Sequence, residues 1–265
     1  MSCRLQHKSH TICILNNRCY LKGDDVIRPE AEPCGFVRTL NKMGYMTSTL
    51  DPYSAEYVNY CQRPNQYVLE IGAAYGVATI PSLQKGAYVV CNDLNPQHLQ
   101  ILWDNTPSKL RKRLLLKPGR CPCELDFPPN TFTAILASRV LHLLEPDKFE
   151  TSISLFRHWL KPKGKIFIVA ETPYLKIFKD FIPIYLERKK TNDQWPGLIE
   201  DVDKYLKIRK ADIPDLINFF DNEVLRRVLE KYNFKIKKIG YISRLDFPEE
   251  YRLDGKESIG VIAEK

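Results

Sequence analysis

The sequence contains no run of about 18 consecutive apolar residues, the length that a membrane-spanning helix requires. Its first ten residues, MSCRLQHKSH, also lack the apolar core of a secretory signal peptide. With 265 residues, of which 44% are hydrophobic, the chain can bury the core of one moderate-sized domain, or of one domain plus an appendage. We therefore expect a globular cytoplasmic protein with no membrane span.

The cysteines do not form the pattern of a disulfide framework. All eight are scattered along a chain that is too large to need covalent stapling. Near the N-terminus, a zinc ion could be imagined between histidines and cysteines, but their spacing matches no standard ligand pattern. These residues are His7, His10, Cys13 and Cys19. The sequence therefore predicts free thiols and no metal site.

Positive charge is in moderate excess. There are 40 Lys and Arg residues against 32 Asp and Glu residues, which gives a formal net charge of +8. The positive residues form short clusters at 109–113, 161–165, 187–190 and 235–238. Such clusters are typical of solvated faces and of strand edges that resist aggregation, although they also permit an anionic partner.

From residue 66 to residue 171, strand-like apolar runs alternate with helical stretches, which predicts a parallel sheet with helices on both faces. Five strands are expected, at 66–71, 87–92, 113–117, 131–138 and 164–171. Helices are expected at about 76–85, 96–105 and 147–160.

The pattern changes after residue 171. A stretch of about forty residues, 174–214, is rich in aromatic residues and is predicted to be helical with no strand. A helix at 221–234 and a final strand pair at 234–243 and 257–265 follow. At the other end of the chain, residues 11–21 alternate around Asn16-Asn17, which predicts a small hairpin. We expect an N-terminal extension at 1–48, a main domain at 49–265, and a lid insertion at about 172–215.

One turn has the composition of an anion site. In VLEIGAAYGVATI, residues 68–80, a buried strand leads through small residues into a helix start, where backbone N–H groups attract anions. Ala74 and Val77 occupy two glycine positions of a dinucleotide turn, which disfavours NAD. Asp93 ends the next strand, 21 residues after Gly72, where a carboxylate can accept both hydroxyls of a ribose. Asp93 could instead cap the following helix.

Together, these segments resemble a class I S-adenosylmethionine-dependent methyltransferase from about residue 50 to the end of the chain. The resemblance is carried by VLEIGAAYG, VVCNDLNPQHL, LDFPPNTFTAILASRVLHLL and LFRHWLKPKGKIFIV. It implies a Rossmann-like α/β fold whose seven-stranded sheet is mostly parallel, with helices on both faces, an antiparallel final strand and the helical lid insertion. It also implies that S-adenosylmethionine is the cofactor.

The resemblance further implies which residues contact the cofactor. Glu70 would hold its amino group or the loop, and Ser138 would face its methionine moiety. Asp93 would bind the ribose hydroxyls, and Leu94 would pack on the adenine. The loop that would wrap the methionine part consists of Gly72, Ala73, Ala74, Tyr75 and Gly76.

Adenine recognition departs from the family pattern. Relatives usually have an Asp after the third strand, but Cys121 occupies that position here and is followed by Pro122, which has no N–H. Glu124 or Asp126 could replace the acid, and the backbone of Cys123 could supply the donor.

The chemistry that the resemblance implies needs few catalytic residues, because a sulfonium methyl group is already activated and must chiefly be aligned with the acceptor. His142 matches a histidine often seen in this family and could act as a base, or it could be a buried structural histidine. The signature of amino-group methylation on nucleobases is missing, since ASRV follows the fourth strand. Methylation of cytosine C5 needs a cysteine nucleophile near the end of the fourth strand, whereas Cys121 and Cys123 lie in the loop before that strand.

The acceptor is expected to be a small molecule beneath the lid. Tyr53, Tyr174 and Trp195 could line its pocket, although aromatic residues at helical spacing are as often core. Two alternatives stay open. One is an RNA or protein methyltransferase that docks through the basic clusters. The other is a non-catalytic module that only binds the cofactor.

Overall fold

The computed structural model describes residues 3–7, 10–14, 26–33, 35–62, 66–206 and 213–265. Strands β1, Cys3–His7, and β2, His10–Ile14, form an antiparallel pair. The turn predicted at Asn16-Asn17 lies outside the described residues, as do the side chains that were considered for zinc. The division of the chain at residue 48 stays a prediction.

Before the main sheet lie a two-stranded ribbon and a helix. The ribbon pairs β3, Val37–Arg38, with β4, Tyr45–Met46, and helix α1, Pro52–Tyr60, follows it. The sequence DPYS encodes the helix start, since Asp51 accepts from the N–H groups of Tyr53 and Ser54 and Pro52 occupies the first turn. We did not predict this helix from the sequence.

The central part of the chain alternates strands and helices. Its elements are β5 (Tyr67–Ile71), α2 (Thr79–Gln84), β6 (Tyr88–Asp93), α3 (Pro96–Asn105), β7 (Leu114–Pro118), β8 (Phe132–Ser138), α4 (Pro146–Trp159) and β9 (Leu160–Glu171). The remaining elements are α5 (Ile182–Lys190), β10 (Leu198–Ile199), β11 (Ile217–Asn218), α6 (Asn222–Lys231), β12 (Lys235–Ile242) and β13 (Ser258–Glu264).

Seven strands form one sheet in the order β12-β13-β9-β8-β5-β6-β7. Strands β5 to β9 pair in parallel, whereas β13 runs antiparallel to both of its neighbours. The predicted Rossmann-like fold with an antiparallel final strand is therefore confirmed. The strand order reverses at β5, because β6 lies on one side of it and β8 on the other, and ligands bind outside the carboxyl ends of strands at such points.

Helices cover both faces of the sheet because its strands are apolar on both sides. Leu69 and Ile71 of β5 pack into the core beneath α4 and α6, whereas Val68 packs into the core beneath α1, α2 and α3. Alternate side chains of a strand point to opposite faces, so one continuous apolar run supplies both cores. Among the described helices, none has the length and apolar character needed to cross a bilayer.

The lid was predicted at about 172–215, and we describe it here as residues 172–206 and 213–219, so that it includes β11. We expected no strand in residues 174–214, but β10 lies there and forms a short antiparallel pair with β11. Gly197 permits this pairing, since any side chain there would overlap the backbone of Phe219. A two-residue strand carries too few residues for a periodic signal, which is why the sequence did not reveal it.

Helix α1 packs on the sheet through the ring of Tyr53, which lies over two glycines on neighbouring strands. Gly240 of β12 and Gly260 of β13 are directly paired, and both face this ring. A Cβ atom at position 260 would overlap the ring carbons, whereas one at position 240 would lie 3.3 Å from the phenolic oxygen. The close approach of α1 therefore depends on Gly260.

We expect Gly260→Ala to lower the free energy of unfolding by about 1 to 3 kcal/mol more than Gly240→Ala does, because the added methyl group overpacks a buried ring. Urea unfolding of both variants measures the difference. Equal effects of the two substitutions would show that Tyr53 is not held against β13 as described.

Candidate functional site

A cleft of about 240 Å³ opens at the point where the strand order reverses. Its walls come from the carboxyl ends of β5, β6 and β8, from the loop after β7, from the start of α1 and from residues 36–50, which contain β3 and β4 and which we call the ribbon segment. Of the residues predicted to bind a cofactor, the cleft brings together Glu70, Gly72, Ala73, Ala74, Asp93, Leu94 and Ser138.

The loop after β5 reaches its shape through positive φ angles. Gly72 has φ +69° and Gly76 has φ +88°, while Ala74 adopts φ +43° although it is not a glycine. A Cβ atom at position 72 would lie 3.1 Å from Val140, and one at position 76 would overlap Leu102 of α3. Gly76 therefore lets α3 pack closely, and it does not line the cleft.

Tyr75 was predicted to wrap the cofactor, but its side chain points away from the cleft. Its hydroxyl donates to the carbonyl of Arg38 at 3.0 Å, and its ring meets His98 edge-on. An apolar cluster with Val37 and Ile101 surrounds it. Tyr75 thus fastens the ribbon segment to the main domain.

Asp93 joins the loop after β5 to α3. Its Oδ2 accepts from the N–H of Ala74 at 2.9 Å, and its Oδ1 accepts from the N–H of Asn95 at 2.9 Å. The side chain of His98 lies 3.0 Å from the same Oδ1. Since Nε2 of His98 accepts from the N–H of Leu40 at 3.0 Å, its Nδ1 carries the proton that Asp93 accepts. A carboxylate has about four acceptor positions, so Asp93 can accept a further donor from the cleft.

His98 is a functional residue that the sequence did not reveal. It is buried, lines the cleft and connects Asp93 to the ribbon segment through Leu40. Its position inside an amphipathic helix gave it the pattern of an ordinary core residue. Only its spacing of five residues from Asp93 could have indicated the contact.

Glu70 is buried at the end of β5 and accepts from the Thr79 hydroxyl at 2.6 Å. Its pKa is raised from 4.5 to about 7, mainly by burial; the Thr79 hydrogen bond opposes this change, and the nearby charge of Asp93 adds to it. The ionised form is thus poorly stabilised by the protein alone. A cationic group in the cleft would relieve this penalty.

At the end of the cleft after β7, the lining residues are Gly119, Arg120 and Cys121. Burial raises the pKa of the Cys121 thiol to about 12, so it stays protonated. Glu124 turns back to accept from the N–H of Arg120 at 2.8 Å. Within the described chain, the three residues proposed to replace the missing acid or to donate to adenine lie outside the cleft lining. These are Cys123, Glu124 and Asp126.

At the opposite end of the cleft, side chains of α1 and β8 meet. The Ser54 hydroxyl donates to Oδ2 of Asp51 at 2.6 Å and lies 3.4 Å from the hydroxyl of Ser138. Asp51 and Ser54 were not predicted as site residues, since the helix that carries them was not predicted.

Arg139 follows Ser138 in the left-handed region, with φ +58°. Its Nε donates to Oε1 of Glu171 at 2.6 Å, while Oε2 of Glu171 accepts from the Ser258 hydroxyl at 2.7 Å. Burial would raise the pKa of Glu171, but Arg139 and Arg244 outweigh it and hold that pKa below its ordinary value. Burial lowers the pKa of Arg139, which stays a cation because Arg pKa values are so high.

A second cavity of about 90 Å³, which we call the chamber, adjoins the cleft. The two share the wall residues Met43, Tyr45, Arg139 and Leu143. Aromatic residues of the ribbon segment, of the lid and of the C-terminal part, by which we mean the segment between β12 and β13, form much of its surface. These are Phe36, Phe178, Phe219, Phe247 and Tyr251.

His142 lines the chamber and not the cleft. Its Nδ1 is buried and has no hydrogen-bond partner within the described chain. Burial lowers the pKa of its ring to about 4, with a further lowering by Arg139 and an opposing effect of Glu171. His142 is therefore neutral at physiological pH and is a weak base.

The three aromatic residues predicted to line an acceptor pocket are placed elsewhere. Tyr53 packs on Gly260, and Tyr174 lies between Tyr185 and Tyr241. Trp195 packs edge-on against Phe149 and lies beneath the guanidinium of Arg227. In the described part of the chain, none of the three lines the cleft or the chamber, because each fills an apolar contact between elements. The same described residues contain no group of three or more His, Cys, Asp or Glu side chains that could hold a metal ion.

Comparison with known proteins relates part of the chain to a known family. Residues 68–164 match the family described as "Methyltransferase domain". A highly reducing polyketide synthase of Cordyceps militaris, cm3B, is 25% identical over 171 residues, which are 56% of this chain. This chain spans 6% of the length of that much larger protein.

Solved structures share the fold. A SAM-dependent methyltransferase of Methanosarcina mazei superposes with a TM-score of 0.59 at 19% identity, over 82% of this chain and 99% of that one. The 1,6-didemethyltoxoflavin-N1-methyltransferase of Burkholderia thailandensis, solved with 1,6-didemethyltoxoflavin and S-adenosylhomocysteine, gives 0.54 at 20% identity, over 81% of this chain and 76% of that one.

We expect Glu70→Gln to change how stability depends on pH. Because the pKa of Glu70 is about 7 in the folded protein and 4.5 ordinarily, the wild type loses up to about 3 kcal/mol as pH rises from 4.5 through 7. Gln cannot ionise, so the variant escapes this loss and becomes relatively more stable across that window. Urea unfolding at several pH values measures the difference, and the exposed Glu187→Gln is the control. A constant difference between wild type and Glu70→Gln would contradict the raised pKa.

Proposed function

This chain carries a methyltransferase domain of the class I S-adenosylmethionine-dependent fold, and from that premise we propose that the protein transfers the cofactor's methyl group to a small-molecule acceptor. The observation that carries the proposal is the chamber, which adjoins the cleft and lies beneath the lid and the ribbon segment. A covered site aligns a small acceptor and excludes water, whereas a macromolecular acceptor needs an open face.

The cleft suits the cofactor along its length. Asp93 has acceptor capacity for ribose hydroxyls, and Leu94 presents an apolar side chain that is 38% exposed, against which adenine can pack. Ala73 and Ala74 give a narrow wall for the methionine part. Glu70 would accept the cationic amino group, and the ion pair would lower its raised pKa.

The chemistry then depends mainly on position. The cofactor supplies an electrophilic methyl group on a sulfonium. Ser138, Ser54 and Arg139 line the end of the cleft next to the chamber, so they are placed to orient the acceptor. Aromatic walls on the chamber side exclude water from the reacting atoms.

Three of the four basic clusters lie far from this end of the sheet. Residues 109–113 precede β7, while 161–165 and 235–238 occupy the amino-terminal parts of β9 and β12. Lys235 and Lys165 lie at the same level of the sheet, since both pair with Glu264 of β13. At 3.3 Å per residue, that level is about 20 Å from Glu171 at the site. A nucleic acid bound there would lie at the wrong edge for methyl transfer.

The fourth cluster, 187–190, lies on the lid but is occupied by contacts within the protein. Arg188 donates to the carbonyl of Leu198 at 2.6 Å, and Lys190 pairs with Glu187 at 3.0 Å. Lys189 pairs with Asp221 at 2.9 Å and with Glu223 at 2.7 Å. These contacts support a structural role for the cluster more than a docking role.

We expect Asp93→Ala to weaken the binding of S-adenosylhomocysteine by roughly 2 to 3 kcal/mol, because hydrogen bonds from the ribose to a charged acceptor are lost. Isothermal titration calorimetry measures the affinity. Asp104→Ala is the matched control, since Asp104 is an exposed residue of α3 whose carboxylate accepts from Gln100 of its own helix. Wild-type affinity in the Asp93→Ala variant would overturn the ribose assignment.

We expect label from methyl-labelled S-adenosylmethionine to enter the small-molecule fraction of a lysate, and not its RNA or protein. Because the exposed lysines of cluster 161–165 lie at the opposite edge of the sheet, the double variant Lys161→Glu/Lys163→Glu should retain this activity with unchanged dependence on salt. Label in RNA that is lost on this charge reversal would establish the nucleic-acid alternative instead.

A further inference from the structure

We propose that the acceptor is a small carboxylic acid with a short apolar tail, whose carboxylate is held by Arg139 and is itself methylated to an ester. The inference rests on the proposed function, since it names the substrate class for the same site. Four features of the described residues carry it: the free donors of Arg139, the occupied carboxylates around it, the apolar chamber behind it, and the chemistry that the site can support.

Arg139 stands at the junction of the two cavities and lines both. Its Nε is bound to Glu171, and its guanidinium lies 4.9 Å from the ring centre of Phe247. Its two terminal nitrogens have no hydrogen-bond partner within the described chain. These two nitrogens have the fork geometry that binds the two oxygens of a carboxylate.

The backbone of Arg139 lies in the left-handed region, and this conformation sets the direction of its side chain. A φ of +58° is unfavourable for a residue with a side chain and persists only where its surroundings enforce it. Here the N–H of Arg139 donates to the carbonyl of Val169 at 2.7 Å, which anchors the turn to β9. The strained turn directs the guanidinium towards Glu171 and the cavities.

The carboxylates near Arg139 already have their donors. Glu171 accepts from Arg139 on one oxygen and from Ser258 on the other. Asp246 accepts from Nε and one terminal nitrogen of Arg244, at 2.9 and 2.8 Å. Asp51 accepts from the N–H groups of Tyr53 and Ser54 and from the Ser54 hydroxyl. None of these carboxylates accepts from the terminal nitrogens of Arg139, whose side chain is 18% exposed, so both nitrogens are available to an acceptor from outside the protein.

The chamber behind Arg139 selects the tail. Its walls are largely aromatic and aliphatic, with Leu175, Ile177 and Ile217 beside the phenylalanines described above. A cavity of about 150 Å³ accommodates benzene, so a chamber of about 90 Å³ takes roughly three or four carbon atoms. A carboxylate at Arg139 with such a tail would fill the chamber and leave its oxygens facing the cleft.

A carboxylate acceptor is also consistent with His142 being a weak base. An efficient general base needs a pKa near the working pH, and the pKa of His142 is lowered to about 4 by burial. A carboxylate needs no base, because it is ionised at neutral pH. One of its oxygens forms a bond to the methyl carbon while the carbon–sulfur bond breaks and its electron pair stays on sulfur. The products are a methyl ester and the neutral thioether, S-adenosylhomocysteine, and no proton is released.

The first test uses butanoate, butanamide and dodecanoate as probes with methyl-labelled S-adenosylmethionine. We expect label to enter butanoate alone, because the amide lacks the charge and the long tail exceeds the chamber. Mild alkali should release the label as volatile methanol, since esters hydrolyse under conditions that leave methyl groups on nitrogen or carbon intact. The rate should be constant between about pH 6 and 9, where the carboxylate stays ionised. Failure to label butanoate, or label that resists alkali, would overturn the inference.

The second test replaces Arg139 with Gln and with Lys. Truncating one partner of a buried charge pair costs enough that we expect the KM for butanoate to rise on the order of 30-fold or more in Arg139→Gln. Arg139→Lys should recover part of the loss, because it keeps the charge without the fork. Arg226→Gln, at an exposed arginine of α6, is the control and should match the wild type.

Calorimetry with S-adenosylhomocysteine distinguishes a loss of cofactor binding from a loss of acceptor binding. Arg139→Gln that binds it with wild-type affinity is folded, so its loss of butanoate methylation reports on the acceptor. An unchanged KM for butanoate in a variant with intact cofactor affinity would refute the role of Arg139. If the wild type bound S-adenosylhomocysteine and labelled lysate compounds but no carboxylate, the inference would fail while the proposed function stood. If it bound no S-adenosylhomocysteine, the proposed function would fail first.

Discussion

The carboxylate of Asp93 is the contact on which the cleft depends. It accepts from the loop after β5 through Ala74, from the start of α3 through Asn95, and from His98, which in turn accepts from Leu40 of the ribbon segment. Three parts of the chain that are distant in sequence are thereby fixed around one buried acidic side chain. A charged acceptor strengthens each of these hydrogen bonds, and its burial is tolerable only because the donors are in place. The residue proposed to recognise the ribose is thus also the residue that shapes the cleft, so its loss has both effects.

At the other end of the cleft, buried charged groups also pair with one another, but there the donors of an arginine, and not the acceptor positions of an acid, remain available. Around Asp93, one acid has several donors, whereas around Arg139 the acids Glu171, Asp246 and Asp51 accept from other groups, and the terminal nitrogens of Arg139 have no partner in the described chain. Buried charges need partners, so the raised pKa of Glu70 favours a cationic group beside it, and the available donors of Arg139 favour an anionic one. Both inferences belong to the proposed function of the cleft. A cofactor with a cationic amino group and an anionic acceptor would together balance the cleft.

The sequence predicted the sheet well because each strand is apolar along its length and each connection is short. Strand β5 was expected at 66–71 and is observed at Tyr67–Ile71, and the reversal of strand order brought Gly72 and Asp93 to one edge as expected. The inferences that differ from the structure concern where the aromatic side chains point. Tyr75 lies in the predicted loop but fastens the ribbon, and Trp195 lies in the lid but fills a core contact. His98 and Arg139 were missed because their roles come from partners far away in sequence, which periodicity cannot reveal.

The aromatic residues of the lid belong mainly to the core and not to the site. Its aromatic residues Phe178, Phe181 and Tyr185 are buried in a cluster that also includes Phe36 of the ribbon segment and Phe247 of the C-terminal part. Raising the lid would expose several of these rings at about 1.5 to 3 kcal/mol each, a large share of a typical domain's stability. Passage through the cleft exposes none of them, because the chamber shares the wall at Arg139 with it. We therefore expect the acceptor to enter along the cleft and to reach the chamber past Arg139, the residue that we propose holds its carboxylate.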